Sequence, residues 1–308
     1  MDLTSAELGQ LIVGMRAEYA NGNNVMAYAR NVLGKTIGGG GGQNHRLATL
    51  VAYDLQAGTY VEVTKNNPDF NQQWCKQLAG LIALFLPKGG SLLELGVGEA
   101  TTINGVLQLL NTDIGDAYGF DISWSRIAVA NHWLHENSQK ANLFVADLMN
   151  IPLADNSIDV VYSSHSLEPN GGNELPCLTE CLRIARHAVV LVEPLYELAS
   201  PEAQQRMRNH GYVQGLKQAA EQLGAEVLDY RLLDITSNPL NPSGVVILHK
   251  SSIQNAKSSF WQCPLTGSQL KPSDDIYYAS EVGITYPILR SIPMLRSEHA
   301  IITSGLKV

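Results

Sequence analysis

The chain has 308 residues, enough for roughly two domains, or for one large α/β domain with an appendage and a sizeable buried core. Apolar residues make up 45% and charged residues only 16%, which excludes an intrinsically disordered chain, since disorder needs few hydrophobes and much net charge. The 21 Lys and Arg against 29 Asp and Glu leave a formal charge of −8, the wrong sign for a protein that holds nucleic acid mainly through its phosphates.

Residues 1–35 predict helix, with Leu3, Leu8, Leu11, Ile12 and Met15 at helical spacing. The unbroken glycine run Gly38–Gly42 fits no helix or strand interior; it reads as a flexible loop, with a substrate lid as the functional alternative. Helices are expected at 46–57 and 69–86, the second with Trp74, Leu78, Leu81, Ile82 and Phe85 along one side. From Ser91 short apolar runs at 92–95, 117–120, 142–145, 158–162 and 188–193 alternate with helical stretches at 101–110, 123–137 and 173–186. That alternation predicts a parallel sheet with right-handed crossovers and helices on both faces. Helices near 200–209 and 212–223 follow, then strands near 225–233 and 244–249. A loop carrying Asn238-Pro239 and Asn241-Pro242 joins these two strands, which predicts an antiparallel hairpin at one edge. Ser251–Ser259 reads as a linker, and 258–308 is too short to count on folding alone.

Four cysteines do not make a disulfide scaffold. Cys177 and Cys181, four apart on a predicted helix, read as a buried apolar pair. No apolar run approaches the roughly 18 residues needed to span a bilayer. The N-terminus lacks the basic and apolar regions of a secretory signal. A cytoplasmic setting without a membrane partner is expected.

The strongest local signal is Leu92-Leu93-Glu94-Leu95-Gly96-Val97-Gly98-Glu99-Ala100: an apolar strand that runs into a glycine turn and then a helix. Glycines there permit the tight turn and let backbone approach a ligand. The second strand ends in Gly119-Phe120-Asp121, a carboxylate able to accept both hydroxyls of a ribose. The third ends in Ala146-Asp147-Leu148. Three acids at the carboxyl ends of neighbouring strands converge on the crevice where open α/β sheets bind ligands. In the dinucleotide fingerprint the third glycine would fall at Thr101, and Glu99 adds negative charge, so a pyrophosphate is unwelcome there. A ligand with a cationic centre, a ribose and an adenine fits better.

On these motifs residues 92–250 resemble a class I S-adenosylmethionine-dependent methyltransferase of the small-molecule type. The resemblance implies a Rossmann-like α/β fold: a seven-stranded, mostly parallel sheet with an antiparallel edge hairpin. Around it stand a helical N-terminal extension or lid (1–88), the methyltransferase domain (89–250) and a small α+β module (258–308). It also implies S-adenosyl-L-methionine as cofactor, held by Glu94, Gly96, Gly98, Asp121, Ile122, Asp147 and Leu148, with Tyr60 and Ser164 beside it. Ala100 stands where most members have a third glycine, which implies altered packing rather than lost binding. Upstream, Tyr53-Asp54-Leu55-Gln56 and Tyr60 resemble the segment that covers the cofactor in related enzymes.

The acceptor pocket is expected after the fourth strand, where His165, Glu168 and Asn170 crowd a polar segment. His165 is a general-base candidate because imidazole titrates near neutrality, its bland alternative being a packing or capping histidine. Glu168 is a second candidate base or a substrate clamp. Tyr196, His210 and Tyr212 are candidate acceptor-binding residues from the far side, although His210-Gly211 equally reads as a helix end.

Phe260-Trp261-Gln262-Cys263-Pro264 and Tyr286–Leu295 resemble the small zinc-ribbon-like activator protein that partners RNA- and protein-directed methyltransferases. Cys263 is alone and Thr266 stands where a second ligand would be, so no metal is expected. The module is expected to support the domain in cis, with substrate recognition or homodimer formation as the alternative. The expected activity is methyl transfer to an O or N of a small polar acceptor, such as a sugar, a sugar nucleotide or a natural-product intermediate. An RNA or protein methyltransferase with a built-in activator, or a non-catalytic cofactor-binding scaffold, are the alternatives.

Overall fold

The computed structural model describes residues 3–37, 44–110, 114–250 and 260–306. The glycine run Gly38–Gly42 and the linker at 251–259 lie outside the described residues.

The predicted helical stretch 1–35 is two helices, α1 (Ser5–Ala20) and α2 (Val25–Ile37), interrupted at Gly22, whose φ is +73°. Thr4 and Glu7 start α1 with a reciprocal cap, in which the Thr4 hydroxyl accepts the Glu7 N–H and the Glu7 carboxylate accepts that of Thr4. With α3 (Arg46–Leu55) they enclose a small apolar cluster of Leu11, Met15, Val25, Ala29, Ala48 and Ala52. The short α4 (Thr59–Asn66) was not expected; it buries no residue. Pro68 opens α5 (Pro68–Ala83) at a position where a missing N–H is harmless. Trp74, Leu78 and Ile82 of α5 pack on a sheet face with Leu92, Val160, Tyr162 and Val190.

The sheet is built from β1 (Gly90–Leu95), β2 (Ile114–Asp121), β3 (Asn142–Val145), β4 (Ile158–Ser164), β5 (Ala185–Pro194), β6 (Glu226–Leu232) and β7 (Ser243–His249). Its order is β3-β2-β1-β4-β5-β7-β6. β1 to β5 are parallel and β7 runs antiparallel to both β5 and β6, as the loop-joined pair predicted. The crossovers hold α6 (Thr101–Leu110), α7 (Trp124–Glu136) and α8 (Glu174–Ile184), and α9 (Pro201–His210) and α10 (Leu216–Gln222) precede β6. Cys177 and Cys181 are buried in the α8 face of the core, where burial pushes the Cys177 thiol up to about 12.

Residues 260–306 depart from the expected α+β module. They form a five-stranded antiparallel sheet of β8 (Lys271–Pro272), β9 (Ile276–Ala279), β10 (Ile284–Leu289), β11 (Ile292–Pro293) and β12 (Ile301–Ile302). The one helical turn among the described residues of this module is 3-10, at Ser297–His299. The module covers the β3 edge of the large sheet: Met294 bridges Val145 in parallel and the Leu295 N–H donates to the Val145 carbonyl at 2.8 Å. Trp261 packs edge-on to Phe144 and Tyr277, with ring centroids 5.1 and 5.2 Å away. A sheet edge that would otherwise present unpaired backbone groups is thereby closed.

Candidate active site

Register places the first acid. Glu94 lies opposite Gly119 on β2 and Tyr162 on β4, so it is buried between two strands, and the Tyr162 hydroxyl donates to its Oε2 at 2.8 Å. Burial pushes the Glu94 carboxyl up to about 8, against the lowering effect of the Tyr162 hydrogen bond. Immediately after β1 the chain turns through Gly96, Gly98 and Ala100, at φ +57°, +54° and +59°. A Cβ on Gly96 would stand 2.4 Å from that of Ser166, and one on Gly98 would stand 2.5 Å from Arg126 Nη2. Both glycines are favoured by conformation, and Gly96 also by space, since Ser166 beside it cannot swing away as the Arg126 tip beside Gly98 can. Ala100 holds the same left-handed conformation fully buried, with a backbone strain of about 1–2 kcal/mol.

Asp121 closes β2. Its Oδ2 accepts the Gly98 N–H at 3.1 Å and its Oδ1 that of Ser123 at 2.9 Å, while Ser123 caps α7 through the Arg126 N–H. Asp147 follows β3, accepts the Met149 N–H at 2.8 Å and is ion-paired with Arg46 of α3. Arg46 also reaches Glu298 of the C-terminal module at 3.0 Å.

These groups face one cavity of about 430 Å³. It is lined by Glu94, Gly96, Gly98, Asp121, Ile122, Asp147, Leu148, Tyr60 and Ser164, and also by His165, Glu168 and Asn170. α4 and α5 form its opposite wall through Val63, Asn67, Phe70, Asn71 and Trp74. The Trp74 indole N–H donates to Ser164 Oγ at 3.1 Å.

His165 sits at the left-handed φ of +58°. Its Nδ1 lies 2.9 Å from Glu168 Oε2 and its Nε2 lies 2.8 Å from Ser243 Oγ, so both ring nitrogens are engaged. Burial opposes its charge, but the Glu168 hydrogen bond and the Glu168 and Glu193 carboxylates outweigh that and raise its pKa above the ordinary value. Asn241 also donates to Glu168 Oε2, at 3.2 Å. Beneath this loop Glu193 is fully buried and accepts the N–H groups of Ser166, Leu167 and Glu168 at 3.0, 3.1 and 3.0 Å. Burial pushes Glu193 up to about 7.

Three expected acceptor residues lie off the cavity wall. Tyr196 is in a 3-10 turn on the outside, where the Arg208 guanidinium binds its hydroxyl and covers its ring. His210 ends α9 before left-handed Gly211, with Nδ1 2.8 Å from the Arg206 carbonyl, which is the helix-end alternative. Tyr212 stands behind Glu168, hydrogen-bonded to it and to Arg206. The sequence reading gave no site role to Arg46, Arg126 and Trp74, which reach the cavity through tertiary packing. Trp74 carried a local signal in its place on the apolar side of a predicted helix, and Glu99 carried one in its place in the glycine turn, read for its charge but given no binding role.

Residues 93–192 match the family described as a methyltransferase domain. No curated protein matches the chain. Among solved structures, a complex between the Haloferax volcanii Trm112 methyltransferase activator and a methyltransferase is similar at a TM-score of 0.50 and 15% identity, over 64% of this chain and 96% of that one. A SAM dependent methyltransferase from Aquifex aeolicus gives 0.43 and 15%, over 58% and 97% of the two chains. The magnesium protoporphyrin IX methyltransferase of Synechocystis PCC 6803, with bound SAH, gives 0.47 and 14%, over 70% and 92%. At these identities the likeness is one of fold.

Proposed function

We propose that this chain is an S-adenosylmethionine-dependent methyltransferase, its residues 93–192 matching a methyltransferase domain, and that it methylates an oxygen or nitrogen of a small polar acceptor. The single observation that carries the reading is the continuity of the cavity: the glycine turn with its three strand-end acids and the polar segment 164–170 line one space. The donor set fits the cofactor. The Gly96–Gly98 turn lines the cavity with backbone that a cofactor could approach closely, Asp121 would offer its carboxylate to the ribose hydroxyls, Asp147 and Leu148 would border the adenine, and buried Glu94 would suit the ammonium. Once bound, the cofactor supplies a methyl group on a sulfonium, already a good leaving group.

The chain's own task is to align the acceptor, exclude water and take up a proton. Glu168 is assigned as the proton acceptor, with His165 and Asn241 fixing its Oε2. His165 becomes its charge partner, since both of its nitrogens are already hydrogen-bonded. Phe70 and Trp74 supply an apolar wall, and Asn170 a hydrogen-bonding group, for the acceptor. Tyr212 acts through Glu168, while Tyr196 and His210 are left to the structure of α9.

A second reading, an RNA or protein acceptor, draws on the module that covers the β3 edge. The formal charge of −8 weighs against RNA. The test is transfer of labelled methyl from S-adenosylmethionine to sugars, sugar nucleotides, natural-product intermediates and bulk RNA. Label in a small acceptor supports the proposal; label confined to RNA or protein overturns it.

A further inference from the structure

Arg126, third residue of α7, sends its guanidinium back across the start of α6, with the side chain nine-tenths buried. Two carboxylate oxygens flank it, Glu99 Oε1 at 3.9 Å from Nε and Asp121 Oδ2 at 3.9 Å from Nη1. Both distances are too long for hydrogen bonds, and both acids are committed elsewhere. Glu99 accepts the N–H of Gly58 at 3.0 Å and of Val61 at 2.8 Å, and Asp121 holds Gly98 and Ser123. Arg126 Nε has no hydrogen-bond partner. The rings of Tyr60 and Tyr53 lie 4.5 and 5.4 Å from the guanidinium carbon; they cover the cation but offer it no acceptor in that contact.

A buried guanidinium with an unpaired donor is costly, and this one borders the cavity directly against Gly98. The other guanidinium on the wall, Arg46, is paired with Asp147 and Glu298. Glu99, Asp121, Asp147 and Glu168 present carboxylates on the wall that would repel an anion. The cofactor carries a single anionic group, the carboxylate of its methionine end, and a planar guanidinium fork matches a carboxylate in shape and charge.

We propose that Arg126 binds the carboxylate of the cofactor's methionine end where it lies on the Gly96–Gly98 turn. The inference rests on the assignment of this cavity to S-adenosylmethionine. The test is calorimetric titration of the full chain, wild type and Arg126→Gln, with three ligands: S-adenosylhomocysteine, its decarboxylated analogue that keeps the amine, and 5′-methylthioadenosine, which lacks the amino-acid end. Wild type should bind the decarboxylated analogue about tenfold to a hundredfold more weakly than S-adenosylhomocysteine. Arg126→Gln should lose that discrimination and still bind 5′-methylthioadenosine as wild type does. Equal binding of the first two ligands by wild type overturns the proposal without recourse to the variant. So does an equal loss of S-adenosylhomocysteine and 5′-methylthioadenosine in Arg126→Gln, which would make Arg126 a mere prop for Asp121 and Glu99. In either case retained 5′-methylthioadenosine binding by wild type leaves the cofactor site standing; binding of none of the three ends both.

Discussion

The Tyr162 hydroxyl donates to Glu94 Oε2 at 2.8 Å from the facing position of the neighbouring strand. That bond is the main polar contact of a carboxyl which burial pushes up to about 8, so the free protein holds Glu94 protonated at neutral pH. A cationic ligand group drawn to Glu94 must displace that proton. Affinity for S-adenosylhomocysteine is expected to rise between about pH 5.5 and 7.5, by up to about tenfold per unit. Glu94→Gln should flatten the rise. Calorimetry in buffers of different ionisation enthalpy reads the released proton, and a pH-independent affinity would contradict the assignment. Stability follows the same linkage. The folded pKa lies above the ordinary value of about 4.3, so Glu94's contribution is complete below that value and is lost as pH rises through about 8. The melting temperature of the free wild type should fall across that window more steeply than that of Glu94→Gln.

His165 Nδ1 lies 2.9 Å from the Glu168 carboxylate, so its charge depends on that neighbour. With Glu168 present, the pKa of His165 lies above its usual value; in Glu168→Gln the burial that opposes its charge is met by fewer carboxylates. NMR of the His165 ring should therefore show a midpoint above the usual value of about 6.5 in wild type and a lower one in the variant. Loss of the proton acceptor should cut kcat about 10²- to 10⁴-fold with little change in S-adenosylhomocysteine affinity. An unchanged kcat would remove Glu168 from the chemistry.

Glu193 ties three consecutive backbone N–H groups of the acceptor loop from inside the core. Glutamine keeps one carbonyl oxygen but turns an amide N–H₂ toward one or more of those donors. Glu193→Gln is expected to lower stability by about 2–4 kcal/mol, read by denaturant unfolding. A loss below about 0.5 kcal/mol, the range of an ordinary surface change, would mean that the loop holds its shape without Glu193.

The strand-end acids were legible because each closes an apolar run at a turn: Glu94 before Gly96, Asp121 after Phe120, Asp147 after Ala146. Strand and helix alternation likewise carried the sheet and its antiparallel edge. β2 begins earlier than its apolar signal, since Gly115 and Asp116 are exposed. α4 had no signal at all, because nothing in it is buried; Glu99, from the glycine turn, holds its first turn through Gly58 and Val61. Arg46 and Arg126 reach the cavity from helices whose local pattern concerns packing alone. Tyr196 and His210 follow the right strand, but the 3-10 turn and α9 carry them outward. The α+β label for 258–308 rested on no helical pattern in the sequence, and the helical content of the described residues 260–306 is a single 3-10 turn at Ser297–His299.

The most direct measurement is calorimetric titration of the full chain with S-adenosylhomocysteine, wild type beside Asp121→Asn. Asparagine keeps one oxygen for the Gly98 or Ser123 N–H while removing the charge that faces the ribose. Wild type should show saturable one-to-one binding, and Asp121→Asn should bind about tenfold or more weakly. Absence of saturable heat with wild type at high protein concentration, or equal affinity in the two proteins, would contradict the account.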